Sequence, residues 1–366
     1  MSLVLEGVGL GLPGVPVLDG VSLQFERGSL NVLLGPTLSG KTSLMRVMAG
    51  LDRPDRGRVL VDGADVTGVP VRRRSVAMVY QQFVNYPTLS VYENIASPLR
   101  VAGLPRAEIE ARVAEAARLL RLAPLLRRTP AQLSGGQQQR TAIARALVKR
   151  AALVLLDEPL ANLDYKLREE LREELPALFA QTGAILVYAT TEPMEALLLG
   201  GRTTTLWEGR VTASGPAAGI YRNPPNLPAA RVFSDPPLNE LPAEARGGRL
   251  HLPDGQALPG LPGLPDGSWR LGFRAEHLQV GPPPPGSLGL AGRVNVTEIA
   301  GSESYVHVDV GIHEGGATWV ALLRGVADLP PGEAVQVHVD PRRVMAFDPA
   351  GRHVALARPA PSRVVA

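Results

Sequence analysis

A chain of 366 residues with 45% apolar side chains is long enough for two globular domains, each with a real core. Its 38 basic and 35 acidic groups leave a formal charge of only +3, which does not call for a nucleic-acid partner. Cysteine is absent, so disulfides, thiolate chemistry and zinc–thiolate sites are excluded, in keeping with a reducing compartment.

The opening MSLVLEGVGL has no basic segment leading into an apolar core, and no run approaches the length of a bilayer span. Neither a secretory leader nor a membrane helix is expected. Residues 1 to about 235 alternate short apolar strands with amphipathic stretches, the pattern of a parallel α/β sheet. The first informative strand, Leu30–Leu34, runs into GPTLSGKT at Gly35–Thr42, a match to the phosphate-binding pattern G-x-x-x-x-G-K-[ST]. Gly35, Pro36, Thr37, Leu38, Ser39, Gly40, Lys41, Thr42 and Ser43 are therefore candidate nucleotide contacts, with backbone amides at a helix start facing the phosphates. A second strand, Val76–Tyr80, ends before Gln81.

After Gln81 the texture turns helical. Ile109, Val113, Ala117 and Leu120 recur near helical spacing between Arg and Glu, which reads as a helical insertion over about 82–150. LSGGQQQR then opens a helix with Ser134, Gly135, Gly136 and Gln137, whose amides suit another phosphate. The apolar run Leu153–Leu156 reads as a buried parallel strand that delivers Asp157 and Glu158 at its carboxyl end. A fourth strand, Ala184–Ala189, ends before Thr190. Ligands lie at the carboxyl ends of such strands, so the four tips converge on one site. A lone phosphate loop arises by chance, and a strand ending in Asp-Glu is usually only a helix cap. The three motifs together, in this order, point to a nucleotide-driven machine.

From about Asp235 proline and glycine become dense, and short alternating strands appear at Tyr305–Val310, Thr318–Leu323 and Ala334–Val339. This predicts a small all-β, barrel-like domain over 236–366. It carries 11 Arg and no Lys against 13 acidic residues, a net of −2 that leaves +5 for the first part. An oligonucleotide surface would be basic and rich in exposed aromatics. Trp269, Phe273, Tyr305, Trp319 and Phe347 are scattered at strand positions instead, and core packing is the expected role for most of them.

Nearly the whole chain resembles the ATP-binding subunits of ABC transporters, specifically the carbohydrate-importer class that serves maltose and glycerol-phosphate uptake. Within that class the likeness is greatest to the paired ATPases of bacterial glycerol importers. The resemblance implies an ABC-type nucleotide-binding domain over 1–235 with its helical subdomain. Segments 271–278 (LGFRAEHL), 292–311 and 340–351 resemble that class's regulatory barrel of oligonucleotide-binding topology. ATP and Mg²⁺ are the implied cofactors. By this likeness Lys41 neutralises the β- and γ-phosphates. Thr42, Gln81 (Gln82 in the other register) and Asp157 serve the metal, partly through water. Glu158 polarises the attacking water. Ser134, Gly135, Gly136 and Gln137 grip the γ-phosphate held by a second subunit, and Ala161–Asp164 crosses the dimer interface, with Asp164 a candidate contact. The implied partners are integral-membrane permease subunits at the cytoplasmic face of the inner membrane, a second ATPase subunit, and, indirectly, a periplasmic solute-binding protein. No nucleic acid is expected.

Three departures from the family pattern stand out. The family places a histidine after the fourth strand, whereas VYATTE puts Thr191 there, and all six histidines lie beyond residue 250. Adenine normally stacks on an N-terminal aromatic. Leu12 occupies that position, and no aromatic precedes Phe25. Leu38 stands where the loop usually has glycine. All three fall on the half-site built from this chain's own sheet, and the signature Ser134–Gln137 is intact. The reading is a heterodimer with a paralogous ATPase in which this chain's own site is partly degenerate and turns over slowly. Tolerated drift in a homodimer is the blander alternative. The segment Phe83–Tyr92 is expected to meet a permease helix. A DNA-repair or chromosome ATPase would need long coiled coils between the motifs and a translation ATPase two such domains; an exporter is harder to exclude from the first domain, but the tail argues for import.

Overall fold

The computed structural model describes residues 1–12, 15–82, 84–161, 165–180, 183–311 and 317–356. Met1–Gly219 and Ile220–Ala366 form two separate compact units.

The first unit begins with β1 (Leu3–Leu12), β2 (Val15–Phe25) and β3 (Leu30–Leu34), then α1 (Lys41–Ala49), β4 (Arg56–Val61), β5 (Ala64–Asp65) and β6 (Val76–Val79). Three helices follow: α2 (Val91–Val101), α3 (Arg106–Leu119) and α4 (Gly135–Val148). β7 (Leu153–Asp157), α5 (Tyr165–Ala180), β8 (Ile185–Thr190), α6 (Pro193–Leu199), β9 (Arg202–Trp207) and β10 (Arg210–Pro216) complete it. An antiparallel sheet of order β2-β1-β4-β5 accompanies a six-stranded sheet of order β10-β9-β3-β8-β7-β6. In the latter β9, β3, β8, β7 and β6 run parallel, and β10 returns antiparallel along β9.

The sequence explains the centre of this sheet. Every residue of β7 and β8 is buried, so LVLLD and ILVYAT read as continuous apolar runs rather than alternating ones. Each buried Leu, Val or Ile contributes roughly 1.5–3 kcal/mol by transfer from water. One core packs α2, α3 and α4 against β6, β7 and β8, and the predicted stripe Ile109, Val113, Ala117 and Leu120 lies inside it. A second core, between the two sheets and α1, holds Leu3, Phe25, Leu33, Met45 and Val187. The predicted strands fall within a residue or so of those observed.

Helix α7 (Ala217–Arg222) passes in sequence from the first unit into the second, and the second unit continues with the short helix α8 (Leu227–Val232). Its strands are β11 (Asn239–Arg246), β12 (Arg249–His251), β13 (Ala257–Pro259), β14 (Gly267–Phe273), β15 (Leu278–Val280), β16 (Leu288–Ile299), β17 (Glu303–Asp309), β18 (Thr318–Arg324), β19 (Ala334–Val339), β20 (Met345–Phe347) and β21 (His353–Val354). They form two antiparallel sheets, β13-β12-β11-β14-β20-β21 and β15-β19-β16-β17-β18, around a shared core in a nearly closed barrel. Of the five scattered aromatics, Phe273, Trp319 and Phe347 are buried. Phe273 and Trp319 meet edge to face at 4.9 Å. Trp269 and Tyr305 are half-buried. Among the described residues no helix is long and apolar enough to cross a membrane.

Candidate active site

Four strand tips meet as the sequence predicts. β3 and β8 pair in register to Leu34 and Thr190, and β7 pairs with β8 up to Asp157 and Ala189. This adjacency carries the loop after β3, the acids after β7 and the threonines after β8 to one end of the sheet.

The phosphate loop fits its sequence closely. A Cβ on Gly35 would lie 2.4 Å from the Leu206 carbonyl oxygen and 2.6 Å from Ser39 Oγ. At Gly40, which caps α1 with φ 99°, a Cβ would lie 2.9 Å from the Val17 carbonyl oxygen. Both positions therefore exclude any larger residue. The α1 N-terminus receives no side-chain cap, which leaves its amides to serve a ligand. Lys41 is buried, and its ammonium donates to the carbonyls of Gly35 (2.7 Å) and Pro36 (3.0 Å). Burial pulls its pKa down, against the opposing pull of Glu158 and Asp157. Ser39 Oγ is buried with no hydrogen-bond partner, an orphan polar atom inside the loop. Leu38 adopts φ 66° with its side chain 95% exposed, so this leucine holds a left-handed backbone that suits glycine.

Thr42 Oγ1 donates to Asp157 Oδ2 at 2.7 Å. Asp157 is buried, and burial raises its pKa despite the Thr42 bond and the Lys41 charge. Glu158 follows with φ 45° and donates its amide to the Ala189 carbonyl at 2.9 Å, which turns the chain sharply off the strand. Its carboxylate accepts from Gln81 Nε2 at 2.8 Å. Burial raises the Glu158 pKa first; Lys41 opposes, and Asp157 and Glu192 reinforce. The structure thus brings together Lys41, Thr42, Gln81, Asp157 and Glu158. Thr191 follows β8 directly, beyond Thr190, whose carbonyl accepts from the Gly35 amide at 3.3 Å.

The signature segment is separate and simpler. Ser134 caps α4: its hydroxyl accepts from the Gln137 amide (3.4 Å) while Gln137 Oε1 accepts from the Ser134 amide (3.1 Å). Gly135 and Gly136 form the first turn. This N-terminus is solvent-facing. Leu12 ends β1, but its side chain lies outside the described residues, as do Phe83 and Asp164. Tyr86 is 49% exposed.

Sequence reasoning missed two networks. Behind the β8 tip, buried Glu195 accepts from Thr190 Oγ1 (2.6 Å) and Tyr188 Oη (3.1 Å). No sequence signal marks it, because the burial of Glu195 with Pro193 and Ala196 on α6 is set by the fold. The second ties the loop before α2 to α4. Asn85 donates to the Gln138 carbonyl at 2.9 Å, and Arg145 donates to the Val84 carbonyl and lies 5.1 Å from the Tyr86 ring centre.

Two family models match the chain: the ABC transporter model over residues 18–161 and the TOBE domain model over residues 271–347. The sn-glycerol-3-phosphate import ATP-binding protein UgpC of Paracoccus denitrificans is 37% identical over 354 residues, covering 96% of this chain and 99% of that protein. The trehalose/maltose import ATP-binding protein MalK of Thermococcus litoralis is 37% identical over 349 residues, covering 90% and 92%. Among solved structures, the dimeric post-hydrolysis state of the ATP-binding cassette MJ0796 bound to ADP and Pi superposes with a TM-score of 0.54 at 29% identity. It covers 59% of this chain and 98% of its own. The chain belongs to the ABC transporter ATP-binding proteins, in the carbohydrate-importer class, and is an ATPase.

Proposed function

We propose that the chain energises a membrane importer for a sugar, a polyol or a glycerol derivative, as one half of a heterodimer with a paralogous ATPase. The solute class rests on the relatives that import sn-glycerol-3-phosphate and trehalose or maltose. Residues 1–235 serve as the nucleotide-binding domain, with the helical subdomain about 82–150, and 236–366 as a regulatory barrel. The chain sits on the cytoplasmic face of the inner membrane against permease subunits, which a periplasmic solute-binding protein loads.

The roles follow the family likeness, and the contacts at Lys41, Thr42, Gln81, Asp157 and Glu158 support them. Lys41 and the amides of 39–43 neutralise and cradle the phosphates of ATP. The Thr42 hydroxyl, the Asp157 carboxylate and the amide oxygen of Gln81 would supply an all-oxygen donor set, the chemistry that Mg²⁺ takes. Bound there, the cation would neutralise phosphate charge. Glu158, with its raised proton affinity, takes the proton of the attacking water. Thr191 offers a hydroxyl to the γ-phosphate where relatives of this class use histidine. Ser134, Gly135, Gly136 and Gln137 complete the other subunit's ATP site, and Asp164 belongs to the crossing loop.

One contrast supports the heterodimer: Leu12, Leu38 and Thr191 depart at positions that the family likeness assigns to the chain's own half-site, whereas the signature cap on α4 is complete. Loss of one preorganised transition-state contact costs ~10²–10³ in rate, and Glu158 is retained, so that site is slow rather than dead. The test is to purify the chain with its permease, alone and with its paralog, and to compare ATP hydrolysis. The pair should be much the faster; equal rates would overturn the heterodimer.

A further inference from the structure

The buried carboxylate of Glu195 belongs to no step above. It lies on α6, 4% exposed, and accepts hydrogen bonds from Thr190 Oγ1 at 2.6 Å and Tyr188 Oη at 3.1 Å. Thr190 Oγ1 in turn accepts from the Glu192 amide at 3.0 Å, a side-chain-closed turn with Thr191 enclosed between its two ends. The same strand tip is tied by backbone to both catalytic neighbours. The Thr190 carbonyl accepts from Gly35, the first residue of the phosphate loop, and the Ala189 carbonyl accepts from Glu158. Glu192 is anchored separately by Arg168 at 3.2 Å.

We infer that Glu195 is a positioning residue for ATP hydrolysis: through Thr190 Oγ1 it fixes the turn that aims Thr191 at the γ-phosphate. A buried acceptor stripped of both hydroxyls would be left unsatisfied away from water, so the two bonds are held in place. Tyr188 is itself almost wholly buried and donates to the same carboxylate oxygen as Thr190, so that oxygen is held by a second side chain fixed in the core. Thr191 has no aromatic ring or second donor to tolerate misplacement. A hydroxyl on a one-carbon stem must be placed by its backbone, and here that backbone is set from behind. The inference rests on Thr191 acting at the γ-phosphate, and the experiment separates the two.

Steady-state ATP hydrolysis and fluorescent-nucleotide binding are measured on the full chain with its partner subunits. Glu195→Ala should lower kcat roughly ten- to hundredfold, the scale of a misplaced catalytic group, with nucleotide affinity within about twofold of wild type. Glu195→Gln keeps an acceptor oxygen for both hydroxyls and should restore most of kcat. Placed in a Thr191→Ala background, Glu195→Ala should add no further loss. If Glu195→Ala does not fold, Thr190→Val removes the same link, with Thr190→Ser as the restoring variant. Additive losses in the double variant, or a fall in nucleotide affinity matching that in kcat, would overturn the positioning role and leave Thr191 in place. An unchanged kcat in Thr191→Ala alone would overturn the reading of the site and this inference with it.

Discussion

The cradle at the β3, β7 and β8 tips and the N-terminus of α4 solve opposite physical problems. In the cradle Lys41 and Asp157 are buried, Glu158 is half-buried, and the groups are already partnered: Lys41 on two carbonyls, Thr42 on Asp157, Gln81 on Glu158. Such a site is preorganised by its surroundings, and its cost appears as shifted proton affinities. The α4 terminus is solvent-facing and closed by its own capping box. It is an incomplete site by construction, a set of amides and a dipole that acts on whatever a second surface presents. One chain therefore carries a finished half and an unfinished half, and the two should respond differently to substitution.

The largest effect expected is from Lys41→Ala, which should abolish measurable nucleotide binding by this chain's own loop and lower its turnover by ~10²–10³. Ser134→Ala should do the converse. Helix capping is weakened by about 1 kcal/mol, turnover of the assembled pair falls, and nucleotide binding to the isolated chain stays as it was. If Ser134→Ala weakened binding in the isolated chain as much as Lys41→Ala, the division into two halves would fail.

A pH profile sharpens the same contrast. Burial raises Asp157 and Glu158, so the folded state holds those protons more tightly than the unfolded chain does. The penalty on the charged forms is absent below the ordinary carboxylate range and fully present above the raised values. These two acids thus subtract stability as pH rises through that window. For catalysis Glu158 must be ionised, so the acid limb of kcat should lie above the ordinary glutamate range. An acid limb within that range would show that Glu158 is not the base.

The smallest effect is at Leu38. Its left-handed backbone costs about 1–2 kcal/mol for a side-chain-bearing residue, and glycine adds back roughly 0.5–1 kcal/mol of unfolded-state entropy. Leu38→Gly should therefore leave stability level or raise it by about 1 kcal/mol, read as a small upward shift in Tm. A clear loss of stability would mean that the leucine makes contacts that outweigh its strain.

Much of this was legible in the sequence because the relevant physics is local. Continuous apolar runs in β7 and β8 announced buried parallel strands, and the period of Ile109, Val113, Ala117 and Leu120 announced α3. The glycines at Gly35 and Gly40 marked places where a Cβ does not fit. LSGGQQQR announced the start of α4. What stayed hidden depends on contacts between distant segments. Nothing local to Glu195 says that it meets Tyr188 and Thr190 rather than solvent, and nothing near Glu158 foretells its positive φ. The Arg145 link to Val84 joins residues 61 positions apart, which no periodicity records.

Asn94 deserves a mechanical reading. Its side chain accepts from the Tyr86 amide and donates to the carbonyls of Tyr86, Leu89 and Ser90, so one buried amide rivets the 86–90 loop to α2. Asn85 and Arg145 fasten the neighbouring stretch to α4. A push delivered at Tyr86 therefore meets no slack joint. It travels as a lever stroke into α2 and into the helix that begins with the signature, and the same rigidity sends any movement of that helix back outward to Tyr86.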